Sequence, residues 1–359
     1  MIPERTIRIT YYNINNPFYS SFYLAGFADW AKKHACDFVI AKQLPAELRR
    51  SLSSANSVNL LFAICPFKME CADKAFYFCI DALDRSQMNG GFHLPLLEMV
   101  RYYFKVNYNF GDITADERLR RHAQVIRPVL PCCPIRGSDS ARIVRVLSLP
   151  GAAPLQNLGE SLKRAKYLSS MLTLAQLRRT RGLQKCHDIF FVSSFYQGEQ
   201  HAAVNEFRYR IMKEIKRHRD VKAVIGFSSQ KRLEGKFAPL QVKWMPLRHY
   251  LTTLARSRVG IYVRGLHNCI SFKFGQLFSL GLPIVGQSIC NNRDQIMNHP
   301  FFDEQFALDE AEDIADRAVE LLHQPDKRHT LGLSNAHLFD SSFAPAVVVG
   351  DLIKLLMME

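Results

Sequence analysis

The chain has 359 residues, room for two domains of ordinary size, and its 48% hydrophobic and 22% charged content excludes a disordered polypeptide. No apolar run approaches the ~20 residues that span a bilayer, and nine cysteines without a C-x2-C pair exclude a disulfide scaffold and a zinc ribbon. The formal net charge of +14 calls for an anionic partner: nucleic acid, a membrane surface, or a small anion such as a nucleotide diphosphate.

The polar start MIPERTIRIT lacks a signal peptide's charged and apolar regions, so the expected location is the cytoplasm. The segment 6–12 reads as a strand, 20–34 as a helix with apolar residues at Phe22, Leu24, Phe27 and Trp30, and 37–41 as a second strand. Short buried strands are predicted at 60–64 and 76–80, a helix at 95–99, and strands at 101–108 and 126–130 ahead of the rigid PCCP at 131–134. This half therefore reads as an α/β domain with a parallel sheet. The segment 162–183 is helical in pattern and carries Lys163, Arg164, Lys166, Arg178, Arg179 and Arg181, which makes it a linker helix with a solvated basic face, or a membrane-docking one.

A second α/β alternation opens at Asp188 with the strand DIFFVSSF, a helix at 202–219 and a strand at 221–226. A strand at 242–245 and a helix at 248–257 follow, and then RVGIYVRGLHNCISFKFGQLFSLGLPIVGQ at 258–287. That segment reads as an apolar strand, a polar loop, a helix and a second apolar strand after Gly281-Leu282-Pro283, one βαβ unit of a parallel sheet. Such sheets bind ligands beyond the carboxyl ends of their strands, so chemistry is expected in the polar loop. A helix at 312–323, opened by Leu308-Asp309-Glu310, precedes final helices that pass back toward the first domain.

The segment 258–287 resembles the donor-binding signature of glycosyltransferases with the two-Rossmann-domain (GT-B) fold, whose pattern runs approximately E-x7-E and then G-x-P. Gly281 and Pro283 stand at the expected distance after Gln276, and Lys273 where many members place a helical lysine. The two acidic positions fall on Asn268 and Gln276, so the charges that retaining subfamilies place there are absent. The resemblance covers about 188–356 and implies two Rossmann-like domains with parallel sheets facing across a cleft. The domains are expected at 1–160 (acceptor), 161–187 (basic linker), 188–340 (nucleotide-sugar donor) and 341–359 (returning helix). In the first half, only Tyr103-Phe104-Lys105 is similar to segments of fucosyltransferase-like and exostosin-like enzymes.

The same enzymes keep an arginine where Arg208 stands, and its bidentate fork suits a diphosphate. Ser194 ends the strand before it; Arg264, His267, Asn268, Ser271, Lys273 and Gln276 complete the expected donor site, with Ser271 placed to cap the helix. The bland alternatives are a surface arginine beside Arg210, Lys213 and Lys216, and a glutamine that merely fills its helix. A direct displacement needs a general base from the first domain. Asp81 is the candidate, because it ends an apolar strand and so should face a ligand; Asp84, Glu98, Asp112 and His201 stand behind it. No D-x-D occurs, so no metal or other cofactor is expected.

The expected activity is inverting, metal-independent transfer of a sugar from a nucleotide-activated donor to a glycan or lipid-linked glycan, with peripheral contact to an anionic membrane. Two alternatives are a non-catalytic sugar- or nucleotide-binding module derived from such enzymes, and a basic nucleic-acid-binding protein. Against the last stand the spread of the basic residues and the lack of a zinc finger, RNP motif or basic-aromatic interleaving.

Overall fold

The computed structural model describes residues 7–14, 17–41, 43–53, 62–72, 74–130, 133–137, 166–296, 298–299 and 301–358. The chain divides into two compact units, Met1–Leu174 with Ser342–Glu359, and Ala175–Ser341. Leu60, Pro131, Cys132, Lys163, Arg164 and the expected boundary at 160/161 lie outside the described residues.

The strands are β1 (Ile7–Tyr12), β2 (Asp37–Ala41), β3 (Ile64–Cys71), β4 (Lys74–Asp81), β5 (Tyr102–Lys105) and β6 (Ile126–Pro128) in the first unit. In the second they are β7 (His187–Ser194), β8 (Val224–Ser228), β9 (Gln241–Val242), β10 (Ser257–Tyr262) and β11 (Ile284–Gly286). The helices that matter for the site are α1 (Pro17–Lys33), α2 (Leu174–Thr180), α3 (Ala202–Ile215), α4 (Leu247–Ala255), α5 (Phe272–Ser279), α6 (Ala311–Leu322), α7 (Pro325–Leu338) and α8 (Pro345–Met357).

The first sheet runs β2-β1-β3-β4-β5-β6. It departs from the all-parallel expectation at one place: β3 is antiparallel to both β1 and β4, while the other pairings are parallel. The cause is a tight hairpin, in which Cys71 pairs with Lys74 and Ala72 takes a left-handed φ of 50°. β3 therefore fills the place beside β1 that an open doubly wound sheet leaves as a crevice. Phe27 of α1 packs on Phe67 (4.8 Å between ring centres), which stacks on Phe78 of β4 (5.0 Å), so the hairpin also carries the core. α8 returns to this unit and lies against α1 so closely that a Cβ on Gly26 would stand 2.3 Å from the carbonyl oxygen of Pro345.

The second sheet is entirely parallel, in the order β11-β10-β7-β8-β9. Relabelled by chain order within the unit this is 5-4-1-2-3, the doubly wound arrangement. Ile189, Phe190, Phe191 and Val192 are all buried, the unbroken apolar run of a strand covered on both faces. α3 and α6 pack together over one side, and Ile211, Met212, Ile314 and Ala318 meet the strands there. α5 stops in a Schellman turn: Leu282 N–H donates to Leu277 O (3.2 Å) and Gly281 N–H to Phe278 O (3.0 Å). The chain thus comprises two Rossmann-like α/β units in tandem, the make-up of the GT-B class. The basic helix α2 exposes Arg178 and Arg179, as its composition suggests, but its cations also find a carboxylate. Arg178 Nε lies 3.0 Å from Asp340 Oδ1, and Arg181, just past the helix, contacts both oxygens of Asp340 and the carbonyl of Ser279.

Candidate functional site

β7 and β10 are neighbours in the second sheet, but the chain leaves them in opposite directions, toward β8 and toward β11. That divergence opens a crevice at their carboxyl ends, the usual ligand position of such a sheet. Arg208 of α3 is buried at this point, 3% exposed. Its Nη1 donates to Ser194 O at the end of β7 (3.0 Å), and its Nη2 to Arg264 O just beyond β10 (3.3 Å). One guanidinium thus ties the ends of both diverging strands. The Tyr196 ring lies 4.8 Å from its central carbon, and Asn205 holds that loop by accepting from Tyr196 N–H (3.1 Å) and donating to Tyr196 O (2.7 Å). Arg208 Nε has no partner among the described residues.

Lys273 enters from the first turn of α5. Its Nζ is sealed from solvent, has no hydrogen-bond partner among the described residues, and stands 5.4 Å from the centre of the Phe191 ring. Burial holds its pKa well below the ordinary lysine value, and the like charge of Arg208 lowers it further. Ser271 precedes the helix without capping it, contrary to the capping expectation; its hydroxyl is buried and also lacks a partner. The hydroxyl of Tyr262, the last residue of β10, is buried against the backbone of Ser271. Such orphans are uncommon in a folded interior, where buried polar atoms are nearly always paired. Here Arg208, Ser271 and Lys273 gather donors around the end of one crevice, and a set of donors without acceptors suits an anion with several oxygens.

The other expected donor-site residues take more varied places. Ser194 is exposed and contributes its carbonyl to Arg208. Arg264 turns its side chain away from that carbonyl, to Cys290 Sγ (2.6 Å) and Asp309 Oδ1 (3.1 Å). Asp309, expected at a helix cap, is engaged there and by Ser288 Oγ (2.6 Å) instead. His267 and Asn268 are exposed and successive in the left-handed region, with φ of 56° and 59°, a costly backbone of the kind that clusters at ligand loops. Gln276 is buried one turn beyond Lys273 on the same side of α5. The sequence reading passed over Asn205 and Tyr196 as site residues. The i, i+3 spacing of Asn205 and Arg208 on one helix was the available signal for the first.

Asp81 is not open to a ligand, and the reason is the reversed strand β3. Ile64 of β3 pairs with Asp81, and the ladder continues past it through Ala82 N–H to Ala63 O (3.0 Å). The carboxylate is fully buried: Oδ2 accepts from Tyr103 Oη (2.6 Å), and Oδ1 accepts from Leu83 N–H (2.7 Å) and pairs with Lys105 Nζ (3.1 Å). Lys105, equally buried, also donates to Gly91 O (2.6 Å) and Leu83 O (3.3 Å), and burial lowers its pKa against the pull of Asp81. The acid expected to act as base is half of a closed ion pair. Among the alternatives, Asp84 and Glu98 are exposed, Asp112 is half-buried and accepts from the Ser86 hydroxyl, and His201 lies 5.7 Å from the Tyr196 ring.

No protein-family model and no curated protein matches the chain. Solved structures similar to it over most of its length include the following two. The UDP-GlcNAc 2-epimerase from Neisseria meningitidis, bound to UDP-GlcNAc, is 11% identical, with 94% of this chain and 80% of that one covered and a TM-score of 0.42. The spinosyn forosaminyltransferase SpnP is 11% identical, with 97% and 98% covered and a TM-score of 0.38. Among the described residues no group of three or more His, Cys, Asp or Glu could hold a metal ion, and no helix is long and apolar enough to cross a membrane.

Proposed function

We propose that this chain is a glycosyltransferase that uses a nucleotide-activated sugar, with the diphosphate of the donor seated in the second unit against Arg208, Ser271 and Lys273. The observation that carries the reading is the gathering of buried, acceptorless donors at the switch point of a doubly wound sheet. Phosphate oxygens supply the missing acceptors, and Gln276 and the left-handed loop at His267–Asn268 lie beside them for the sugar or ribose hydroxyls. The amides at Asn268 and Gln276 accord with an inverting displacement. The cations of the site take the diphosphate charge without a metal, and the acceptor is a glycan or lipid-linked glycan hydroxyl.

With Asp81 sealed, the candidate bases that remain in this reading are Asp84, Glu98, Asp112 and His201. The same sealing, together with the two amides, favours a second reading, a nucleotide-sugar-binding module without turnover. One assay separates them. Incubation of the protein with a panel of nucleotide sugars and glycan acceptors, in EDTA, should release free nucleotide diphosphate. Binding without release leaves the module. Titration calorimetry with UDP, GDP, ADP and CDP tests the site itself: Arg208→Ala should lose roughly ten- to a hundredfold in affinity for the nucleotide that binds, the worth of a charge-assisted hydrogen bond. Unchanged affinity in a folded variant removes Arg208 from the site.

A further inference from the structure

We propose that Lys273 waits in the ligand-free site as a neutral amine and takes up one proton when a phosphate group arrives, so that binding is coupled to proton uptake. The inference rests on the reading of the site given above and adds its regulation by pH.

The geometry gives an ammonium no acceptor and only the face of one aromatic ring. Nζ lies out of contact with solvent and has no acceptor among the described residues, whereas a charged lysine presents three donors. The elements packed around it supply no compensating charge: β7 faces it with Phe191, β10 with Ile261, and α4 with Tyr250 and Leu254. The Tyr250 phenol is half-buried, and desolvation raises its pKa so that it stays neutral and offers no counter-charge. The charged group that bears on Nζ is Arg208, of the same sign. The face of the Phe191 ring attracts an ammonium weakly; burial and the like charge of Arg208 outweigh it and favour the free amine, and the downward direction of its pKa agrees.

A phosphate group reverses that preference. Its oxygens accept from Nζ, its negative charge offsets Arg208, and the bound state is an ammonium–phosphate pair in a place with little screening. The balance is simple: amine, phosphate and one proton from solvent give ammonium bound to phosphate, with no covalent change. The window lies between the lowered value in the empty site and the value that the phosphate restores in the complex. Within it, the native ligand-free protein binds one proton fewer than the complex, so affinity falls about tenfold per pH unit as pH rises.

The test is titration calorimetry at pH 8, where the secondary ionisation of a nucleotide's phosphate, near pH 6, is complete. UDP, GDP, ADP and CDP are titrated in buffers of different ionisation enthalpy, such as Tris, tricine and HEPES. The slope of observed enthalpy against buffer enthalpy gives the protons taken up. About one proton is expected for the parent protein, and none for Lys273→Arg, whose charge is permanent, or for Lys273→Met. Binding with zero slope in the parent overturns the coupling and leaves the nucleotide site standing. Uptake that persists in Lys273→Met also overturns it, because the proton then goes elsewhere. If none of the four nucleotides binds, the coupling and the functional reading fall together. Should both variants fail to fold, the parent slope and the fall of affinity between pH 7.5 and 9 decide the matter.

Discussion

The Asp81–Lys105 pair determines what a substitution at Asp81 does. Asp81→Asn leaves Lys105 buried among carbonyls without its counter-charge, and losing one partner of such a pair costs about 3–5 kcal/mol. Urea unfolding should report that loss, and Lys105→Met added to Asp81→Asn should recover part of it. The sign of the pH effect follows from Lys105, whose pKa burial holds below its unfolded value. Between those two values the native state carries fewer protons than the unfolded one, so stability from this group rises with pH and is lost as pH falls to the folded value. In Asp81→Asn the folded value drops further, and the window widens toward neutrality; equal losses at pH 6 and pH 9 would refute this. The contrast with Arg208 and Lys273 explains what was readable at this scale. Those two follow a strand end and a helix start, positions that local patterning marks. The fate of Asp81 depends on its non-local partners, Ile64 and Lys105, which spacing along the chain does not reveal.

At the scale of elements, the turn from α5 into β11 makes the most definite demand. Gly281 has a φ of 60°, and a Cβ there would stand 2.9 Å from that of Ala336 in α7. Gly281→Ala combines left-handed strain with that crowding and should cost at least about 1–2 kcal/mol, read as a lowered unfolding midpoint. An alanine variant as stable as the parent would contradict the Schellman geometry. The G-x-P of this turn was legible because a left-handed stop and a following proline have few substitutes. The parallel sheet of the second unit was legible for a related reason: its strands are unbroken apolar runs separated by helices. The orientation of β3 was not. Short buried strands look alike whether they run up or down, and Ala72, at the hairpin, is not a residue that announces a turn.

At the scale of the whole molecule, the two units differ in how the chain supplies them. The second is one continuous stretch, whereas the first takes α8 from beyond it. A protein ending at Ser341 should therefore keep the second unit folded, with its nucleotide affinity, while the first loses protection in hydrogen exchange around α1, where Gly26 abuts Pro345. Equal protection of α1 with and without residues 342–358 would show that α8 is dispensable. The same arrangement orders events on the ribosome. β1 and α1 emerge first but meet α8 last, after the second unit has had time to form. At roughly 5–20 residues per second, the partner face of α1 stays uncovered for tens of seconds during synthesis. α1 is then finished only once α8 has been made, and until that point it stays exposed to chaperones and to aggregation.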